Sequence, residues 1–348
     1  MKEALFYLQK EDNKVQCLLC PFKCLIPEGE TGKCKARKNI QGKLYSLTYS
    51  RYTGTPVDPI EKKPLFHFYP NWQIMSLGSL GCNFACVFCQ NWSSSQILAL
   101  KNEKVINQFT IEITPKEAVA LAERIKPRGN IGIAYTYNEP LINYEFVYET
   151  AQLAHKHDLK NVLVTNGFIN PEPFKQLLPF IDALNVDIKS INPSFYTKYC
   201  KGLLSPVLET CKLAYKKAML EITNLIIPTL NDTEEELEDL VNWVASELGP
   251  DVPVHFSRYH PDFNLHIPPT PVETLIKARS IAMRKLHYVY IGNLWGVKDG
   301  ESTYCPQCGN IVIGREGYRL YAVSLKENNT CACCGYQINL VGSIWEGA

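Results

Sequence analysis

Twelve of the fourteen cysteines in this 348-residue chain fall into three clusters, and their spacing is that of metal ligands. The central cluster reads Gly81-Cys82-Asn83-Phe84-Ala85-Cys86-Val87-Phe88-Cys89-Gln90-Asn91. Three thiolates separated by three and two residues can hold three corners of a cubane and leave one iron open to bind a substrate or cofactor. Buried cysteines, or a zinc site borrowing a distant fourth ligand, are the plainer alternatives. The C-terminal cluster pairs Cys305-Pro306-Gln307-Cys308-Gly309 with Cys331-Ala332-Cys333-Cys334-Gly335. Two such knuckles around β-rich sequence read as a zinc ribbon with Cys305, Cys308, Cys331 and Cys334 as ligands, an auxiliary iron–sulfur cluster being the alternative. Cys333 is surplus to the ribbon's four thiolates, although it could replace Cys331. The N-terminal set, Cys17, Cys20, Cys24 and Cys34, offers four ligands and no open position. It is read as structural zinc or an electron-relay cluster. Cys200 and Cys211 stand alone and read as small buried hydrophobes.

The elements that must position these loops alternate in type between residues 70 and 300. Ile74–Leu77, Ile131–Tyr135, Val162–Thr165, Ala183–Ile188, Leu220–Ile227, Val254–Phe256 and Tyr288–Ile291 are rich in apolar and β-branched residues, as strands are. Amphipathic helices intervene, two of them opening with Ser/Thr-x-x-Glu boxes at Thr114/Glu117 and Thr233/Glu236. Six or seven βα units in succession require a parallel sheet, a barrel or a doubly wound one, with chemistry at the C-terminal ends of the strands. The polar residues at those ends are the Cys82 loop, Asn138 and Glu139, Thr165 and Asn166, Asp187 and Lys189, Thr223 and Asn224, and Tyr259 and His260. The expected organisation is an α/β chain in three parts: a four-cysteine element with a lid over 1–69, the barrel over 70–300 and the ribbon over 301–348.

On these residues the chain resembles the radical SAM superfamily, whose signature is the Cys82/Cys86/Cys89 spacing with an aromatic, here Phe88, before the third cysteine. The resemblance implies a partial (β/α)6 barrel and a 4Fe–4S cluster whose open iron binds S-adenosylmethionine. It further implies reductive cleavage to a 5′-deoxyadenosyl radical that abstracts hydrogen from a substrate. Tyr137-Asn138-Glu139-Pro140 stands where many members carry Gly-Gly-Glu-Pro, which makes Glu139 the expected partner of the methionine ammonium. Thr165-Asn166-Gly167, Asp187-Ile188-Lys189 and Tyr259-His260 resemble segments that flank the cofactor in glycyl-radical-enzyme activases. Asp58 through Phe68, the Cys82 loop and Phe256–Pro261 together are similar to the AmmeMemoRadiSam group, whose genes accompany those of Memo-like and AMMECR-like proteins. A flavodoxin- or ferredoxin-type donor would supply the electron. The substrate would be a protein glycine, as in the activases, or a small molecule.

Asp58, Glu61, Lys62, Lys63 and His67, interleaved with Phe66, Phe68, Tyr69 and Trp72, are expected to form a lid over the barrel mouth. Its Lys or His would meet an anionic substrate and its rings would exclude water, unless the run is merely a solvated face. A net charge of +1 gives no global field for nucleic acid or anionic membrane, and no apolar run approaches the length of a spanning helix. The N-terminus lacks a signal-peptide pattern, so the chain reads as cytoplasmic. The rival is a non-catalytic iron–sulfur and zinc protein binding RNA or a partner through its ribbon, with Arg315, Arg319 and Lys326 as the basic residues, offset by Glu316, Glu327 and Glu346. A radical methyltransferase would require a motif for a second cofactor, such as cobalamin, and none stands out.

Overall fold

Strand-forming runs and capped helices alternate through the middle of the chain, and each β–α–β step lays a new strand beside the last. In the computed structural model, which describes residues 1–101, 103–294, 297 and 300–347, one eight-stranded sheet organises the molecule. Its strands are β1 (Val57–Pro59), β2 (Gln73–Gly78), β3 (Asn130–Thr136), β4 (Lys160–Thr165), β5 (Ala183–Asp187), β6 (Met219–Ile226), β7 (Val254–Arg258) and β8 (Val289–Gly292). They lie side by side in sequence order. β2 through β8 are parallel, and β1 runs antiparallel to β2.

The main crossover helices are α1 (Pro115–Arg124), α2 (Tyr144–Lys156), α3 (Pro171–Leu177), α4 (Ser205–Tyr215), α5 (Glu234–Glu247) and α6 (Val272–Ala282). This gives six βα units and a seventh parallel strand, in a sheet that curls without closing. Thr114 caps α1 with a full box: its hydroxyl accepts from the Glu117 N–H, and the Glu117 carboxylate accepts from the Thr114 N–H. Thr233 caps α5 likewise, but the Glu236 carboxylate turns away to the Ser190 hydroxyl and the Ile191 N–H. That half-box anchors the loop after β5.

Alternation of side chains separates two faces. Ile133, Tyr135, Leu163, Leu184 and Ile222 share the large core with the helices. Ile74, Ala134, Val162 and Ala183 face inward, where Ile60, Leu65 and Phe68 meet them. The 60–68 segment is therefore a plug inside the barrel, and the lid expected over its mouth is not formed. Its apolar side chains, with no other surface to cover, are stabilised most by filling the interior that an open barrel leaves.

The N-terminal residues form two small three-stranded sheets, fastened to the barrel by a buried ion pair, Arg37 to both oxygens of Glu145 at 3.1 and 2.7 Å. At the other end of the chain β9 (Ile311–Glu316) and β10 (Arg319–Val323) form the ribbon hairpin. Phe66, Tyr288, Tyr290, Val312 and Ile338 make its contact with the barrel. The tail closes the barrel floor, with Trp345 stacked on Trp72 at 5.5 Å and packed against Gly129, where a Cβ would collide with the indole.

Candidate active site

The Cys82 loop leaves the C-terminal end of β2 and is held from three sides. Asn138, after β3, accepts from the Ser79 N–H at 3.0 Å and donates to the Gly81 carbonyl at 3.0 Å. Gly81 has φ +87°, a conformation that lets the chain turn into Cys82 without a Cβ. From the far side, the Ala85 and Val87 N–H groups donate to the Cys200 and Tyr199 carbonyls of a π-helical turn, Tyr196–Cys200. Phe84 packs on Phe168 and Phe88 on Phe195, both loop rings being buried. Each outer thiol has a polar neighbour. Cys82 Sγ accepts from the Phe84 N–H at 3.3 Å and Asn166 Nδ2 at 3.5 Å, and Cys89 Sγ lies 3.1 Å from Ser95 Oγ.

Glu139 lies beside this loop and is only 2% exposed. Burial pushes its carboxyl up to about 7, despite donors that favour the charged form. Those donors are the Asn166 N–H at 2.8 Å, the Leu141 N–H at 2.9 Å and the Thr165 hydroxyl at 2.7 Å. Asn166 also donates to Asn83 Oδ1 at 2.8 Å, so one residue at the end of β4 ties Glu139 to the cysteine loop. Asp187 and Lys189 form a half-buried ion pair at 2.8 Å. Burial works against the Lys189 charge, but the neighbouring carboxylate raises its pKa above the ordinary value.

Glu139, Thr165 and Asn166 are thus brought together with Cys82, while Asp187 and Lys189 reach the Cys86 side electrostatically. Asn138 acts as a clamp on the loop. His260 is exposed, and among the described residues its polar contact is the Pro261 carbonyl at 3.5 Å, outside this group. Next to the loop opens a depression of about 600 Å³ walled by Trp92, Ile97, Leu100, Phe109 and Tyr137.

Of the charged residues in and beside the plug, Asp58, Glu61, Lys63 and His67 are buried and Lys62 is exposed. Asp58 accepts from Lys62 and Lys63 at 2.7 Å each, Ser76 at 2.8 Å and Tyr137 at 2.5 Å. Burial alone would raise its pKa, but these donors hold it well below the carboxylate range. Glu61 accepts from the Asn71 N–H and lies 3.8 Å from Arg315 of the ribbon. His67 is fully buried, one ring nitrogen against the Asn339 carbonyl and the other 2.6 Å from the Tyr290 hydroxyl. It is a strut between plug and ribbon, and burial lowers its pKa to about 4.

Sequence reasoning missed the partners of these residues. Glu221 on β6 joins His255 on β7 at 2.6 Å and accepts from the His67 N–H at 2.7 Å. Glu61, Thr223, His255 and Ser257 line a cavity of about 120 Å³. The signal was present: Glu221 and Thr223 are polar at a spacing of two in a strand that is apolar but for them and Asn224, and His255 interrupts Val254 and Phe256.

The other two cysteine sets differ in geometry. Cys305, Cys308, Cys331 and Cys334 gather all four sulfurs within 4.8 Å of one another, and Cys333 is exposed outside that set. Cys17, Cys20, Cys24 and Cys34 line a small cavity with Arg37, Asn83 and Ile142. Arg315 is buried, donating to Thr303 and the Phe66 carbonyl, which removes it from any nucleic-acid surface.

Comparison with known proteins agrees with this arrangement. Residues 77–244 match the radical SAM superfamily. The uncharacterized protein MJ0808 of Methanocaldococcus jannaschii is 47% identical over 345 residues, 98% of this chain and the whole of that one. The (2S)-3-sulfopropanediol dehydratase activating enzyme of Klebsiella oxytoca is 26% identical over 123 residues, covering 35% of this chain and 39% of its own. Among solved structures, Streptococcus suis SuiB bound to its precursor peptide SuiA shares the fold, with a TM-score of 0.50 at 11% identity over 68% of this chain and 51% of that one. With its three-cysteine loop at the head of a curled parallel sheet and relatives among the activating enzymes, the chain belongs to the radical SAM superfamily.

Proposed function

We propose that this chain binds S-adenosylmethionine at a 4Fe–4S cluster held by Cys82, Cys86 and Cys89, and abstracts hydrogen from a substrate at the barrel mouth. The observation that carries the reading is Asn166, whose N–H holds Glu139 and whose side-chain amide reaches both Asn83 and the Cys82 sulfur. Three thiols in one loop fit a cluster with an open iron, and a buried carboxyl beside them fits a ligand ammonium. When bound, the cluster would supply the electron that cleaves the sulfonium to methionine and a 5′-deoxyadenosyl radical.

The chain's own residues do the positioning. Glu139, oriented by Thr165 and Asn166, receives the methionine ammonium, and the Asp187–Lys189 pair polarises the Cys86 side of the site. Tyr137 and the Asp58–Lys63 pair form the floor beneath it, and the apolar walls around Trp92 and Phe109 limit water near a radical. The substrate, a protein glycine as in the activating enzymes or a small molecule, approaches through that depression because the plug fills the barrel from below. The C-terminal set of four cysteines holds structural zinc, and a flavodoxin- or ferredoxin-type protein donates the electron. The likeness to the AmmeMemoRadiSam group supports Memo-like and AMMECR-like proteins as functional partners.

The test is anaerobic incubation of reconstituted protein with S-adenosylmethionine and dithionite, following 5′-deoxyadenosine by mass spectrometry. Product is expected from the wild type and none from Cys86→Ala. Equal product from both would refute the cluster assignment.

A further inference from the structure

The N-terminal cysteines are more than a distant structural clip, because their loop touches the loop of the proposed radical site. A Cβ on Gly81, the residue before Cys82, would stand 3.2 Å from the Cys34 carbonyl oxygen. Asn83, the residue after Cys82, lines the cavity on which Cys17, Cys20, Cys24 and Cys34 converge. Cys34 and Cys82 also share the wall of one cleft of about 350 Å³. The two ligand loops therefore lie against each other.

Sulfur spacing separates single-ion sites from cluster sites. A tetrahedral zinc with bonds of about 2.3 Å places its thiolates about 3.8 Å apart. The C-terminal set meets that figure, with Cys305 to Cys334 at 3.5 Å and Cys308 to Cys331 at 3.7 Å. Among the described residues, neither Cys17/Cys20/Cys24/Cys34 nor Cys82/Cys86/Cys89 draws three sulfurs within 4.8 Å of one another. The N-terminal set resembles the proposed cluster loop in this respect and differs from the ribbon.

We propose that Cys17, Cys20, Cys24 and Cys34 hold an iron–sulfur cluster that relays single electrons to the Cys82 site. The inference rests on the Cys82 loop being a cluster site. Four protein thiolates saturate the N-terminal cluster, which leaves it electron transfer as its chemistry. One electron enters from a flavodoxin- or ferredoxin-type carrier, reducing the N-terminal centre. It then passes across Cys34 and Gly81 to the Cys82 site, reoxidising the N-terminal centre, and is consumed in breaking one carbon–sulfur bond of S-adenosylmethionine. Lys33, Lys35 and Lys201 are exposed around the shared cleft, a basic rim that complements an acidic carrier.

The first test compares full-length wild type with a Cys82→Ala/Cys86→Ala/Cys89→Ala variant after anaerobic reconstitution, by metal analysis and electron paramagnetic resonance. Expected are about eight iron atoms per wild-type chain and about four in the variant, with a dithionite-reduced signal in the variant that S-adenosylmethionine leaves unshifted. Zinc in place of that residual iron, with no reduced signal, would overturn the proposal. Iron content equal in wild type and variant would instead remove the Cys82 assignment, and with it the relay.

The second test reduces Cys24→Ser/Cys34→Ser protein with photoreduced flavodoxin. The rate of reduction of the Cys82 site should fall about tenfold or more, a barrier increase of about 1.4 kcal/mol. Dithionite should still reduce that site, and its signal should still shift with S-adenosylmethionine, which reports an intact barrel. An unchanged rate with flavodoxin would overturn the relay.

Discussion

At the scale of single residues, Glu139 is placed where an acid is costly to ionise, and that cost can be used by a cationic ligand. Its carboxyl stands at about 7, above the ordinary carboxylate value, because burial outweighs three good donors. Ionising it therefore opposes folding, and the free chain should lose some stability as pH rises toward 7. An ammonium arriving beside it stabilises the carboxylate and releases the proton. S-adenosylmethionine affinity, measured by anaerobic calorimetry, should then rise by up to about tenfold per pH unit below 7 and level off above it. Glu139→Gln should bind weakly at every pH and show no such slope; a slope that survives would exclude Glu139. Cys86 tests the metal directly. Cys86→Ala should lose the Cys82 loop's share of the iron and of the brown absorbance while keeping the metal of the C-terminal ribbon, as metal analysis would show.

At the scale of elements, much of the architecture was legible because each part has a local cause. Strands and helices followed the two hydrophobic periods, and the Thr114 box formed as its spacing requires. The cysteine loop, Glu139 and Asn166 converge because successive parallel strands deliver their ends to one rim. What was not legible were long-range choices among groups of similar chemistry. Glu236 has two sets of donors within reach of its carboxylate, and it joins Ser190 and Ile191 rather than its own cap. The Asp58–His67 run could cover a mouth or fill an interior, and only the closing of the sheet around Ile60, Leu65 and Phe68 decides between them. Gly81 belongs to this scale as the contact between two loops. Gly81→Ala adds a methyl 2.8 Å from Leu98 and 3.1 Å from Ile142 at a positive φ. It should cost about 1–3 kcal/mol and reduce retained iron. Gly309→Ala has similar φ with nothing within 4 Å, so it should cost only the backbone strain of about 1–2 kcal/mol. Equal midpoints in thermal unfolding for the two variants would show that the loop contact adds nothing.

At the scale of the whole molecule, the two ends of the chain hold the barrel's interior in place. Arg315 reaches from the ribbon to the Phe66 carbonyl, Asn339 binds His67, and Val341 bridges to Phe68. The ribbon in turn has little core of its own beyond its contact with Phe66, Tyr288 and Tyr290, so a metal held by its four gathered thiols would supply order. Removing that metal should therefore be felt inside the barrel. In hydrogen exchange, Cys308→Ser should expose residues 60–72 to faster exchange while the N-terminal sheets and α2 keep their protection, since Arg37 and Glu145 tie those together independently. Arg315→Ala should reproduce the effect with the metal still bound. It strips the donor from Phe66 and leaves buried Glu61 without the cation 3.8 Å away. If exchange in 60–72 were unchanged in both variants, the plug would be held by the barrel alone and the ribbon would be an appendage.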